Sequence, residues 1–135
     1  MAYMNQQKKA VIAENLKPIL KKYGVKGTLS VRNNMSIALT LKSGKIDFIK
    51  NFNDTVAQQP GGFRNGRPAE NYLQVNTYWY QDHFSGKAKD FLAEAKKALL
   101  SAGWYDNSDI QTDYFDTAYY IDINVGRYDK PYEVI

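Results

Sequence analysis

The chain has 135 residues with no cysteine and one histidine, which excludes a disulfide framework, a thiolate metal site, a cysteine nucleophile and a multi-histidine metal centre. Its length suits a single domain over residues 1–135, and it contains neither a signal-peptide core nor the roughly 20 apolar residues of a membrane span. The net charge of +4 is uneven along the chain, because residues 1–70 hold 12 Lys or Arg against 4 acids (+8) and residues 71–135 hold 6 against 10 (−4).

The N-terminal part of the chain predicts a helix followed by a hairpin. Apolar residues recur at helical spacing over residues 8–23. Pro18 removes a backbone hydrogen bond, which predicts a kink or a regular helix that begins only near Asn15. Residues 28–42 alternate between apolar and polar, and Asn33-Asn34 suits a tight turn because asparagine tolerates a positive φ.

A second, shorter helix is predicted over residues 46–56, with Ser43 as its N-cap. Residues 57–70 then contain two prolines, three glycines and two arginines, a composition typical of a long flexible loop. Loops of this length in a small domain often carry function. Within it, Phe63, Arg64 and Arg67 are candidate binding residues.

The C-terminal half predicts a short strand at 73–77, a long amphipathic helix at 84–99, and two final strands at 110–114 and 119–125. The element order is therefore α-β-β-α-loop-β-α-β-β. Such an order predicts an α+β fold, with an antiparallel sheet of about five strands and two to three helices packed on one face.

An aromatic run, Tyr78, Trp79 and Tyr80, precedes the long helix and supplies rings for a contact surface or for base stacking. Neighbouring side chains point in different directions, so at least one ring must face the core. The single histidine, His83, has no partner residue for a triad or an acid–base pair, and we expect it at a helix start or on the surface.

Acidic residues recur through the last third of the chain, at Asp106, Asp109, Asp113, Asp116, Asp122 and Asp129. Their spacing matches no calcium loop, and the wet face of a hairpin is the commoner reason for such a series. A third interpretation remains open, because regular carboxylates on a rigid strand pair can imitate a phosphate backbone. No metal or cofactor is predicted.

Three segments resemble a known family: GVKGTLSVRNNMSIALTLKSGKIDFIKNF, YLQVNTYWYQDHFSGKAKDFLAEAKKALL and SDIQTDYFDTAYYIDINVGRYDKPYEV. They are similar to small proteins and domains of bacteriophages and other mobile elements, related to one of the large polyvalent protein-associated domains. The resemblance implies a genetic context and no catalytic residues. In that context the protein would act in the cytoplasm of a bacterial host, in host takeover or in evasion of host defence.

We therefore predict a non-enzymatic accessory protein that blocks or redirects a host protein or protein–nucleic-acid complex, with no membrane partner. The candidate contact residues are Phe63, Arg64, Arg67, Tyr78, Trp79, Tyr80, Asp113, Asp116 and Asp122. Direct binding of DNA or RNA through the basic N-terminal half is the alternative. An enzyme that depends on paired carboxylates is a third, less favoured hypothesis. Oligomeric state is left open.

Overall fold

A computed structural model of the chain describes residues 3–59, 71–106, 117–127 and 129–135. The helices in these ranges are α1 (Gln6–Tyr23), α2 (Phe48–Ala57), α3 (Tyr80–His83) and α4 (Gly86–Leu99). The strands are β1 (Val25–Arg32), β2 (Ser36–Gly44), β3 (Leu73–Val75), β4 (Tyr120–Val125) and β5 (Glu133–Val134). The predicted α+β class and a sheet of about five strands are confirmed, but the sheet is mixed and β5 was not among the predicted strands.

The four main strands lie side by side in the order β1-β2-β4-β3. Antiparallel pairs form at both ends, β1 with β2 and β3 with β4, whereas β4 runs parallel to β2 at the centre. The short β5 also pairs parallel with β2. The prediction of a purely antiparallel sheet is therefore wrong. Helices and β3 intervene between β2 and β4, and a long connection of this kind allows a strand to return in the same direction.

The two faces of the sheet differ in chemistry. Ile37, Leu39 and Leu41 of β2 join Ile123 and Val125 of β4 in one buried core. Apolar residues from α1, α2 and α4 complete the same cluster, so these helices cover this face. The opposite side, which we call the polar sheet face, carries the small buried residue Ala38 among exposed or half-buried residues, namely Thr28, Ser30, Arg32, Ser36, Thr40, Gln74, Tyr120, Asp122 and Asn124.

Local signals for the first helix and hairpin were partly correct. Helix α1 begins at Gln6 and runs through Pro18, so the predicted late start near Asn15 is wrong. Proline removes one backbone donor from a helix, but buried Leu16 before Pro18 and partly buried Leu20 after it pack against the core and hold the helix on both sides of that point. The turn prediction is confirmed, because Asn33 and Asn34 have φ of 53° and 54°.

Later elements shift relative to the sequence prediction. Helix α2 is capped by Asp47, whose Oδ1 accepts from the Lys50 amide at 3.0 Å, while Ser43 still belongs to β2. The predicted strand at 110–114 lies outside the described residues. The same is true of residues 60–70, which make up most of the predicted loop.

Helices α1 and α4 are joined by a polar contact at their exposed side. The Tyr23 hydroxyl donates to Glu94 Oε2, and Lys22 Nζ lies 3.3 Å from Glu94 Oε1. The hydrogen bond to Glu94 raises the pKa of Tyr23 from 10.0 to about 12. The same bond lowers the pKa of Glu94, although desolvation acts in the opposite direction.

From this contact we predict that the folded protein becomes less stable in alkali. Folding raises the pKa of Tyr23, so this residue contributes fully to the free energy of unfolding below its ordinary pKa of 10.0. That contribution is lost as the pH rises to about 12. The thermal midpoint of wild type, followed by circular dichroism, should therefore fall over this interval more steeply than that of Tyr23→Phe. Tyr72→Phe, at an exposed tyrosine, is the control. If Tyr72→Phe reduced the fall of the thermal midpoint in alkali as much as Tyr23→Phe does, the assignment of this fall to Tyr23 would be contradicted.

Candidate functional site

A groove of about 740 Å³ opens where the ends of β3 and β4 meet α4. We call it the aromatic groove. The lining residues that bear on binding are Asn76, Tyr78, Lys96, Trp104, Tyr120 and Asp122. It joins the polar sheet face, because Tyr120 and Asp122 belong to both.

One wall of the aromatic groove is a turn held by Asn76. Its Oδ1 accepts from the backbone N–H groups of Tyr78 at 2.9 Å and Trp79 at 3.0 Å, which fixes the turn that follows β3. Tyr78 and Trp79 consequently project outward and are 81% and 65% exposed. Lys96 Nζ from α4 lies 5.7 Å from the centroid of the Tyr78 ring, within the range of a cation–π contact.

The other wall carries Trp104 and Tyr120. Trp104 Nε1 donates to the Tyr119 backbone carbonyl at 2.8 Å, which orients the indole while its ring remains 36% exposed. Tyr120 begins β4 and is 47% exposed. Beneath them Tyr119 is fully buried, and this burial raises the pKa of its hydroxyl group. Trp104 and Tyr120 are therefore anchored next to a residue of the buried core.

The structure brings together some of the predicted contact residues and separates others. Tyr78 and Asp122, which are 44 positions apart in the chain (122 − 78), line the same groove. Trp79 lies beside it and does not line it. Tyr80 is only 7% exposed and belongs to the core, so one ring of the run faces inward as predicted. The reason differs from the predicted alternation, because the neighbours Tyr78 and Trp79 both lie exposed in a turn and Tyr80 begins α3.

The remaining predicted contact residues, Phe63, Arg64, Arg67, Asp113 and Asp116, lie outside the described residues. Sequence reasoning overlooked Lys96, Trp104 and Tyr120. Of these, Tyr120 carried a usable signal, because it occupies an outward position in the strand with the clearest alternation. Trp104 carried no such signal, since its position depends on the fold around Tyr119.

The cations of the basic N-terminal half that lie in the described residues do not form one surface. The lysines of α1 lie on the helical side of the sheet, whereas Arg32 and Lys42 line a groove on the other side. Some of the positive charge is also neutralised locally, as in the ion pair between Lys50 and Asp54 at 3.4 Å. The fold thus distributes these positive charges over both sides of the sheet.

Residues that would support metal or acid–base chemistry are dispersed over the described ranges. No group of three His, Asp or Glu in these ranges could hold a metal ion. His83 packs edge-on against Phe52, with ring centroids 5.7 Å apart. No helix in the described part of the chain is long and apolar enough to cross a membrane. The groups that converge are aromatic rings, amides and single charges, which is a composition suited to contact.

Comparisons with protein-family models, with curated proteins and with solved structures find no match.

Proposed function

We propose that this protein acts by binding a macromolecular partner and not by catalysis, and that the aromatic groove is its contact surface. The observation that carries the proposal is the exposure of three rings, Tyr78, Trp104 and Tyr120, around one groove. Tyrosine and tryptophan are enriched at the centres of protein interfaces, where a few such residues supply most of the binding energy.

The rigidity of the aromatic groove supports this proposal. The Asn76 side chain holds the turn that carries Tyr78, and the Tyr119 carbonyl holds the indole of Trp104. Aromatic side chains have few rotatable bonds, so a groove already arranged in this way loses little conformational entropy when a partner binds. Asn76 and Asp122 supply polar groups at its rim, which would orient the partner.

The class of partner that we propose rests on the family resemblance. A phage or mobile-element accessory protein would bind a host protein or a protein–nucleic-acid complex and block or redirect it.

Alanine variants in the aromatic groove should weaken partner binding. We expect Tyr78→Ala and Trp104→Ala each to lower affinity roughly 30-fold, or by about 2 kcal/mol, as at a typical hot spot. The partner is first captured from bacterial lysate treated with nuclease, then purified, and its affinity is measured by calorimetry.

Val11→Ala provides the matched control, because Val11 is 46% exposed on α1 and does not line the groove. Circular dichroism should show that all three variants remain folded. Unchanged affinity in the folded groove variants would show that the partner binds elsewhere.

Direct binding of nucleic acid is the second candidate function. What favours it is a set of four cations that line one groove, Arg32, Lys42, Arg127 and Lys130. Two of these come from each half of the chain, so this candidate no longer depends on the basic N-terminal half alone.

A further inference from the structure

A second groove crosses the polar sheet face, between β1 and β2 on one side and the turn after β4 on the other. It consists of two adjoining cavities of about 610 Å³ and 330 Å³. The cavities share Arg32, Thr40, Gly126, Arg127 and Asp129. We call it the basic groove, after the four cations Arg32, Lys42, Arg127 and Lys130.

The charge of the basic groove favours an anion. Its lining holds these four cations against two acids, Asp129 and Glu133, a local balance of +2 (4 − 2). None of the four cations forms an ion pair with another residue in the described part of the chain. An arginine fork binds two phosphate oxygens at once, and two such forks border this groove.

Neutral donors lie among these cations. Thr28, Ser30 and Thr40 supply hydroxyl groups, and Asn124 supplies a side-chain amide. Hydroxyl and amide groups make many of the phosphate and sugar contacts in protein–nucleic-acid complexes. The basic groove therefore offers both the charge and the hydrogen-bond donors that a phosphate backbone requires.

The far side of the basic groove is held in place by hydrogen bonds. The Arg127 amide donates to the Lys130 carbonyl at 2.8 Å, and the Lys130 amide donates back at 3.1 Å, closing a tight turn. Tyr132 anchors the chain after this turn, since its amide donates to the Asn71 carbonyl at 3.1 Å and its hydroxyl to the Ile46 carbonyl at 2.7 Å. The backbone that carries Arg127 is therefore fixed before any ligand binds.

The basic groove is continuous with an exposed aromatic ring. Arg32 pairs with Ser36, and Ser36 pairs with Tyr120, so the three residues form one row across the sheet. Two strand spacings separate Arg32 from Tyr120, a distance of roughly 10 Å. An unpaired base could stack on Tyr120 while its backbone lies in the basic groove. A duplex keeps its bases stacked inside and would not use that ring.

We propose that the polar sheet face binds single-stranded nucleic acid, with the basic groove holding its phosphates and Tyr120 stacking on a base. This inference rests on the second candidate function and does not require the protein partner assigned to the aromatic groove.

Fluorescence anisotropy with labelled oligonucleotides tests the inference. The probes are a 15-nucleotide RNA of mixed sequence, the DNA of the same sequence and the corresponding DNA duplex, each titrated between 50 and 200 mM salt. The single strands should bind more tightly than the duplex. The double variant Arg32→Ala/Arg127→Ala should lose roughly 10-fold or more in affinity, and its logarithmic salt slope should become shallower by about 1.4, or 0.7 for each lost contact.

Lys17→Ala/Lys21→Ala is the matched control, because it removes the same charge from exposed positions on α1. We expect it to change affinity less than about 2-fold, since distant surface charges are screened by salt. Tyr120→Ala should weaken single-strand binding roughly 5-fold or more, and Tyr120→Phe should preserve it.

Three results would overturn the inference, and they can be told apart. Absence of saturable binding to every probe at 50 mM salt would remove the second candidate function itself. Equal losses in the groove variant and the α1 control would reject the basic groove alone. Equal affinity for the duplex and the single strands would reject the stacking role of Tyr120. Retained binding of the lysate-derived partner in any of these cases would leave the aromatic groove proposal standing.

Discussion

Replacing Tyr119 with alanine is expected to lower the free energy of unfolding by about 3–5 kcal/mol, as for other buried aromatic residues. The Tyr119 side chain is fully buried. Its hydroxyl donates to the Leu99 carbonyl at 2.5 Å and accepts from the Ala102 amide at 3.3 Å, which joins the residue before β4 to the end of α4. Such a loss is a large part of the roughly 5–15 kcal/mol that stabilises an ordinary domain.

Tyr119→Phe separates the two contributions of this residue. It keeps the ring but leaves a buried carbonyl without its donor, and we expect a cost of about 1–3 kcal/mol. Urea unfolding monitored by circular dichroism measures both variants. Because Trp104 donates to the backbone carbonyl of Tyr119, the phenylalanine variant should retain the aromatic groove and its partner. Equal destabilisation by the two substitutions would mean that the hydrogen bonds, and not the packed ring, account for the stability.

Gly126→Ala is expected to cost about 2–4 kcal/mol, from an unfavourable backbone conformation together with steric overlap. Gly126 has a φ of +70°, and an added Cβ would lie 2.6 Å from the Tyr132 amide nitrogen and 3.0 Å from the Asn71 carbonyl oxygen. Both atoms belong to backbone that is itself hydrogen-bonded, so neither can move away without breaking that bond. The turn that carries Arg127 would shift. The variant should therefore bind oligonucleotides more weakly as well as unfold more easily.

Gly103→Ala is the control for this substitution. Gly103 has a similar φ of +74°, but an added Cβ would meet nothing within 4 Å. Its cost should therefore be limited to the conformational part, about 1–2 kcal/mol. Urea unfolding of the two variants isolates the overlap at Gly126, and equal costs would contradict the close approach of Tyr132.

The aromatic groove and the basic groove meet on the polar sheet face. Tyr120 lines the first and stands in the same row as Arg32 of the second. Tyr78→Ala should weaken the binding of a free host protein, whereas Arg32→Ala/Arg127→Ala should leave it unchanged. Both variants should weaken the binding of a protein–nucleic-acid complex that contacts both grooves. The set of variants that lose affinity therefore identifies the class of partner.

Much of the local structure could be predicted from the sequence. Periodic apolar residues located α1, α4 and the β1–β2 hairpin, and Asn33-Asn34 was recognised as a turn because few residues accept a positive φ. The need for one ring of the Tyr78–Tyr80 run to face inward also came from the sequence. These successes share a cause, since all depend on residues within a few positions of each other.

Strand direction and the composition of both grooves were decided by the tertiary structure. Alternation along β4 is the same whether it runs parallel or antiparallel to β2, so the sequence could not distinguish a mixed sheet from an antiparallel one. Tyr78, Trp104 and Tyr120 share a groove only because α4 and β4 pack against one core. Likewise Arg32 meets Arg127 because β2 lies between β1 and β4, a juxtaposition of residues 95 positions apart (127 − 32) that no local pattern records.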